Sequence, residues 1–295
     1  MAVSDSHVIA EFMNSLEKKL DILRKCYVQD GGFGKLAAES AESMNGGKYA
    51  AFISVCDINT RAAVLRGVGE SPETAWDSAC RNAREYVRKS GLMPAWVKSD
   101  VTVKSERVSF AELEELIAKS RNEFFRRGIS FDEGMQTALI ESEINGSRVI
   151  TYKKHKIELT RVNKRLSACG LRTLTAFPEE VRLFDCRSFF TDGGGVYPLY
   201  ESGNSCGRRI IEKFDDKTAL EVIRTASQYL ENMVGLDGKF EYGYYPIFHK
   251  EIPGYNILRH SSSIWSLICS YRLTKDKFTL NQIQKAIEVL KDKIQ

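Results

Sequence analysis

The stretch from Tyr49 to Val103 constrains the fold of this chain more than any other. Tyr49 to Cys56 is an apolar run of strand composition, Asp57-Ile58-Asn59 makes a turn, and Arg61 to Val68 returns as a second strand. Ser71-Pro72-Glu73-Thr74 then opens a helix. Serine is its N-cap, proline takes the first helical position, and Glu73 and Thr74 lie at the positive end of the helix dipole. Ala75, Trp76, Ala79, Cys80, Ala83, Tyr86 and Val87 keep one face apolar until Gly91 ends the helix. Trp96 to Val103 alternates, with Val97, Val101 and Val103 on one side, as a strand requires. The expected unit is a β-β-α-β core near residues 49–103.

The flanks read mainly as helices. Val8, Ile9, Phe12, Met13, Leu16, Leu20 and Leu23 recur at three- and four-residue steps, which predicts an amphipathic helix over 8–26. Gly31-Gly32-Phe33-Gly34 and Asn45-Gly46-Gly47 bracket a segment that suits either loop or helix. Ser109 and Glu112 form a capping box for a helix to about Arg126, and Gly128 breaks it. A short helix over 132–143, a strand at 149–152 and a helix over 158–167 follow. Residues 171–200 read as short strands and turns, with Gly193-Gly194-Gly195 as a hairpin turn. Beyond the glycines at 203 and 207 the pattern predicts three helices, over 216–234, 257–273 and 279–293. The expected fold class is therefore an α+β region over 1–205 followed by an all-α part over 206–295.

Composition narrows the functional classes. The 295 residues are 43% hydrophobic and 28% charged, as in an ordinary globular protein. The net charge of +4 comes from 43 basic and 39 acidic residues, a near cancellation that argues against nucleic acid and anionic membranes as partners. The basic runs at 152–156 and 161–165 are read as solvated faces. No secretory signal opens the chain, and no window is long and apolar enough to span a membrane. The seven cysteines are dispersed without a C-x-x-C pair, which fits reduced thiols and a cytoplasmic location.

The residues richest in chemistry lie between Asp237 and His260. Asp237, Glu241, Tyr242, Tyr255, Asn256, Arg259 and the histidines 249 and 260 crowd this stretch with other tyrosines and glycines. Aromatic faces with a few hydrogen-bonding groups suit a sugar, whose C–H faces stack on rings while its hydroxyls need polar partners. The sequence Gly-Leu-Asp-Gly-Lys-Phe-Glu-Tyr-Gly-Tyr after a helix, and Tyr-Asn-Ile-Leu-Arg-His before another, resembles the opening of an (α/α) toroid. That six-hairpin barrel is shared by many glycoside hydrolases, polysaccharide lyases and sugar epimerases. Ser261-Ser262-Ser263 depart from the Ala-Gly-Thr usual in the family.

The resemblance implies a carbohydrate-active or carbohydrate-binding protein with a glycan ligand. His260 would be general acid or base, and Arg259 would orient a carboxylate or hydroxyl. Tyr255 and Asn256 would position the sugar, with Asp237, Glu241 and Tyr242 lining the pocket. No cofactor or metal is implied. Three helices after residue 215 are far fewer than a closed toroid needs. A rival reading follows: a non-enzymatic subunit whose helical part docks on a partner chain or a second copy. A third reading is nucleotide or nucleic-acid binding through the turn Arg66-Gly67-Val68-Gly69-Glu70-Ser71. A Cys56 thiolate aided by Arg61, and a metal site from Asp132, Glu133, Glu141 or Glu143 with His155, are the weaker alternatives.

Overall fold

The structure, a computed structural model, describes residues 2–44, 47–120, 124–151, 155–245 and 250–294. Residues 152–154 of one basic run and His249 lie outside the described residues. The chain divides into two compact units, 1–210 and 211–295.

In the first unit the elements run α1 (Ala2–Gln29), α2 (Gly32–Met44), β1 (Tyr49–Cys56), β2 (Ala63–Gly69), α3 (Pro72–Ser90), β3 (Trp96–Ser109) and α4 (Phe110–Lys119). They continue as β4 (Gly128–Ser130), α5 (Glu141–Gly146), β5 (Ile150–Thr151), β6 (Lys156–Ile157), α6 (Leu159–Ala168), β7 (Glu180–Thr191) and β8 (Val196–Leu199). Six strands form one antiparallel sheet in the order β2-β1-β3-β7-β4, with β8 also pairing with β7. The caps of α3 are as expected: the Ser71 hydroxyl accepts from the Thr74 amide, Pro72 is the first helical residue, and Gly91 closes the helix in the left-handed region.

Strand periodicity sorts the side chains of the sheet. Ala51, Ile53 and Val55 of β1 and Val97 and Val101 of β3 face α1, α2 and α3, where Leu16, Leu23, Trp76 and Ala79 complete a buried core. Each such aliphatic side chain stabilises by about 1.5–3 kcal/mol when fully buried. Gly67 permits the close approach of β2 to α3, since a Cβ there would lie 2.3 Å from the Ala75 carbonyl oxygen. Gly67 and Gly69 thus serve strand–helix packing. On the opposite face, Ala50 and Phe52 pack with Phe184 under Met135, Ala138 and Ile140.

The second unit holds α7 (Asp216–Asn232), a two-stranded ladder of β9 (Tyr244–Tyr245) and β10 (Lys250–Glu251), then α8 (Ile257–Thr274) and α9 (Lys277–Ile294). Ile264 and Leu267 of α8 meet Ile283 and Ala286 of α9 in a small core bordered by Leu230 and Phe240.

The expected division into an α+β region followed by an all-α part is corrected by this architecture. The molecule is mixed α/β around a six-stranded antiparallel sheet, its helices are spread through the chain, and strands recur after residue 240. The physical reason lies in the glycines and the two prolines of 235–254, which disfavour a continued helix. Their backbone groups pair laterally instead: the Ile252 amide donates to the Gly243 carbonyl at 2.7 Å, and the Glu241 amide to Met233 at 2.8 Å.

Candidate functional site

On the sheet face that carries Ala50 and Phe52, residues of β1, β3 and β7 form the floor of a cleft of about 460 Å³. Sheet register makes this floor. Ser54, Lys98 and Phe190 stand side by side across β1, β3 and β7, with Cys56 beside Trp96 in the next row. Behind Lys98, Asp100 accepts from the Lys98 ammonium at 2.7 Å and from the Ser188 hydroxyl at 2.6 Å. Arg61 enters from the β1–β2 connection, Arg165 from α6, and Arg208 from the strand-free segment after β8.

Charge is unevenly compensated around this cleft. Glu143 is fully buried and receives both Arg66 and Arg165, the latter at 2.6 Å through Nη2 and 3.1 Å through Nε. Arg126 pairs with Glu141 at 2.7 Å. Arg61 has no carboxylate partner among the described residues, and its only hydrogen bond there is to the Ser147 hydroxyl at 3.4 Å. Burial, and then the neighbouring Arg165 guanidinium, pull the Arg61 pKa below its ordinary value. Arg208 is exposed, with no side-chain partner among the described residues. Five cationic side chains (Arg61, Lys98, Arg126, Arg165, Arg208) thus line the cleft against the two carboxylates Glu141 and Glu143. Crowded guanidiniums that lower one another's basicity are stabilised by an anion.

Thiol chemistry finds no support in this site. Burial pushes the Cys206 thiol up to about 11 and raises that of Cys56, with Asp57 adding to the latter. Both therefore stay protonated near neutrality and are poor nucleophiles. The Cys56–Arg61 thiolate reading is corrected accordingly. Among the described residues no group of three or more His, Cys, Asp or Glu could hold a metal ion. The acidic residues considered for one are engaged elsewhere: Asp132 accepts from the Gln136 and Thr137 amides, and Glu133 pairs with Arg107 and Arg182.

The residues expected to bind a glycan lie in the second unit. His260 is 2% exposed and shares a 2.9 Å hydrogen bond between Nε2 and the Ala286 carbonyl, between the rings of Phe240 and Tyr255. Asn256 is the N-cap of α8, its Oδ1 accepting from the Arg259 amide at 3.1 Å. Arg259 lies over the Tyr242 ring at 4.8 Å. Asp237 accepts from the Lys239 amide and pairs with the Lys239 ammonium at 3.0 Å, which holds its carboxyl below the ordinary value. Glu241 is exposed and contributes its backbone amide to a turn. Tyr255, Arg259, Tyr242 and His260 are therefore neighbours, while Asp237 and Glu241 do not join them in any described hydrogen bond.

Sequence reasoning passed over Arg208 and read Lys98 only as part of a strand and Arg165 as part of a solvated basic run, while it set Arg61 beside Cys56, and both line this cleft. One signal was readable. In β3, polar Lys98, Asp100 and Thr102 alternate with Val97, Val101 and Val103, marking a strand face turned away from the helical core. No protein-family model matches the chain, and no curated protein matches it.

Proposed function

We propose that this chain binds a small anionic molecule in the cleft of residues 1–210. A phosphate or carboxylate group would lie among Arg61, Arg165 and Arg208, with a planar group against Trp96. The observation that carries the reading is the pair of guanidiniums, Arg61 and Arg208, without carboxylate partners in a cleft of about 460 Å³. Trp96, 39% exposed at the cleft edge, supplies an aromatic face. Lys98 extends the positive floor while Asp100 holds its ammonium in place.

Calorimetric titration with ADP, pyrophosphate and citrate tests this, with adenosine as the uncharged control. At least one anion is expected to bind, and adenosine is not. Arg61→Ala and Arg208→Ala should each weaken binding about ten- to a hundredfold, the loss of a charge-assisted hydrogen bond of about 1.5–3 kcal/mol. Silence from all three anions, or an affinity indifferent to both substitutions, would sink the reading.

Two earlier expectations keep their own support. Exposed Leu258, Trp265 and Leu273, along one side of α8, favour a partner chain for the helical unit. The seven cysteines, all free, favour a reducing compartment such as the cytoplasm. The only membrane statement the fold makes is that no described helix is long and apolar enough to cross one.

A further inference from the structure

The helical unit contains a second cleft whose chemistry is opposite to that of the first. Parts of α7, α8 and α9 enclose about 470 Å³ of space lined mainly by polar side chains. Glu231 of α7 is 7% exposed, and its only described partner is the Thr279 hydroxyl of α9. No lysine, arginine or histidine among the described residues forms an ion pair with it. Arg224 lines the same cleft, but it precedes Glu231 by two helical turns, about 10 Å along the axis. A buried carboxylate with one hydroxyl donor and no cation is costly unless a positive group from outside completes it.

A second observation is independent of that charge. Ser270 of α8 lines the cleft, is 3% exposed, and its Oγ has no hydrogen-bond partner. Helical serines ordinarily return their hydroxyl to a carbonyl of the preceding turn. On this same helix Ser261, Ser262 and Ser266 do so, to Ile257, Arg259 and Ser262. Buried Ser270 does not, and its oxygen is left for a group in the cleft. Asp276 adds negative charge at the mouth, where it also caps α9 by accepting from the Phe278 amide at 2.7 Å. Although Arg224, Gln228 and Asn232 also line the cleft, the buried Glu231 carboxylate has no paired cation and Ser270 Oγ has no partner among the described residues.

We infer that this cleft binds an organic ammonium group, its N–H donors directed to the Glu231 carboxylate and Ser270 Oγ. An alkylammonium supplies three donors and one positive charge at a single atom, which matches both deficits. The open volume leaves room for the carbon chain that carries it. Because the whole protein bears +4, general attraction for cations does not account for such binding.

Calorimetric titration of the full chain with the diamine putrescine tests the inference, with butanediol as the neutral analogue and potassium chloride as the inorganic cation. Putrescine should bind saturably, butanediol should not, and equimolar potassium should not displace the diamine. Glu231→Gln, which keeps an acceptor for Thr279, should weaken putrescine binding tenfold or more. Ser270→Ala should weaken it less, and circular dichroism verifies that both variants are folded. If Glu231→Gln does not fold, the diamine–diol contrast and Ser270→Ala decide the matter. Equal heats from diamine and diol, displacement by potassium, or unchanged affinity in both variants would overturn the assignment. An Arg61→Ala substitution in the other unit should leave putrescine binding unaltered, so this test and that of the anion cleft fail separately.

Discussion

Glu143 illustrates how a single buried side chain can organise the charged groups around it. It is fully buried, accepts from the guanidiniums of Arg66 and Arg165, and accepts from the Ile140 amide through its other oxygen. Replacing one member of such a cluster leaves the remaining charges buried without compensation. Glu143→Gln is expected to destabilise the first unit by about 3–5 kcal/mol in urea unfolding, and a loss under about 1 kcal/mol would contradict this role. His260 makes the complementary point. Its neighbours in sequence suggest chemistry, yet its ring lies in the core against Phe240 and bonds the Ala286 carbonyl. Residue type and local spacing identified a cluster there but could not show which way the ring turned. On a helix that direction depends on what packs against it.

At the scale of elements, local signals were read most reliably where they were self-contained. The Ser71-Pro72 start and Gly91 end of α3 concern only bonds within a few residues, and both stand as expected. The capping box of Ser109 and Glu112 also forms, although α4 ends at Lys119 and not near Arg126. The 12-residue strand β7 was read instead as short strands and turns. Arg182, Asp185 and Arg187 interrupt its apolar pattern, and each finds a partner from a distant segment: Glu133, Arg127 and Asp30. Helix-to-helix contacts show the same dependence. Arg84 of α3 grips Glu17 of α1 with two hydrogen bonds of 2.7 and 2.8 Å, and this holds the Glu17 carboxyl below its ordinary value. A depressed carboxyl contributes stability above its unfolded-state pKa and loses it as pH falls through the folded value. Both side chains are over a third exposed, so solvent screening limits the gain to about 0.5 kcal/mol. The stability gap between wild type and Glu17→Gln should therefore be present at neutral pH and vanish in acid. A gap that persists in acid would place its origin outside this ion pair.

The whole molecule consists of two units with separate cores, and their junction falls near residue 210. The segment that follows is exposed, and it carries Arg209, Lys213 and the 70% exposed Phe214. Limited trypsin digestion is expected to cut first at Arg209 or Lys213, giving fragments near the two unit lengths on mass spectrometry. Early cuts within α3 or β3 instead would show that the larger unit is not the more resistant one. The helical unit alone accounts for the toroid resemblance, and the sheet that dominates the fold lies outside it. The β-β-α-β segment was legible from residues 49–103 because caps, turns and strand alternation are interactions between near neighbours. So were the helices that follow residue 215. The cationic cleft was not, because Arg61, Lys98, Arg165 and Arg208 are brought together by strand register and the packing of α6, over separations that leave no local motif. Whether a charged side chain is neutralised or left available depends on which distant carboxylate reaches it, and only the folded chain settles those pairings.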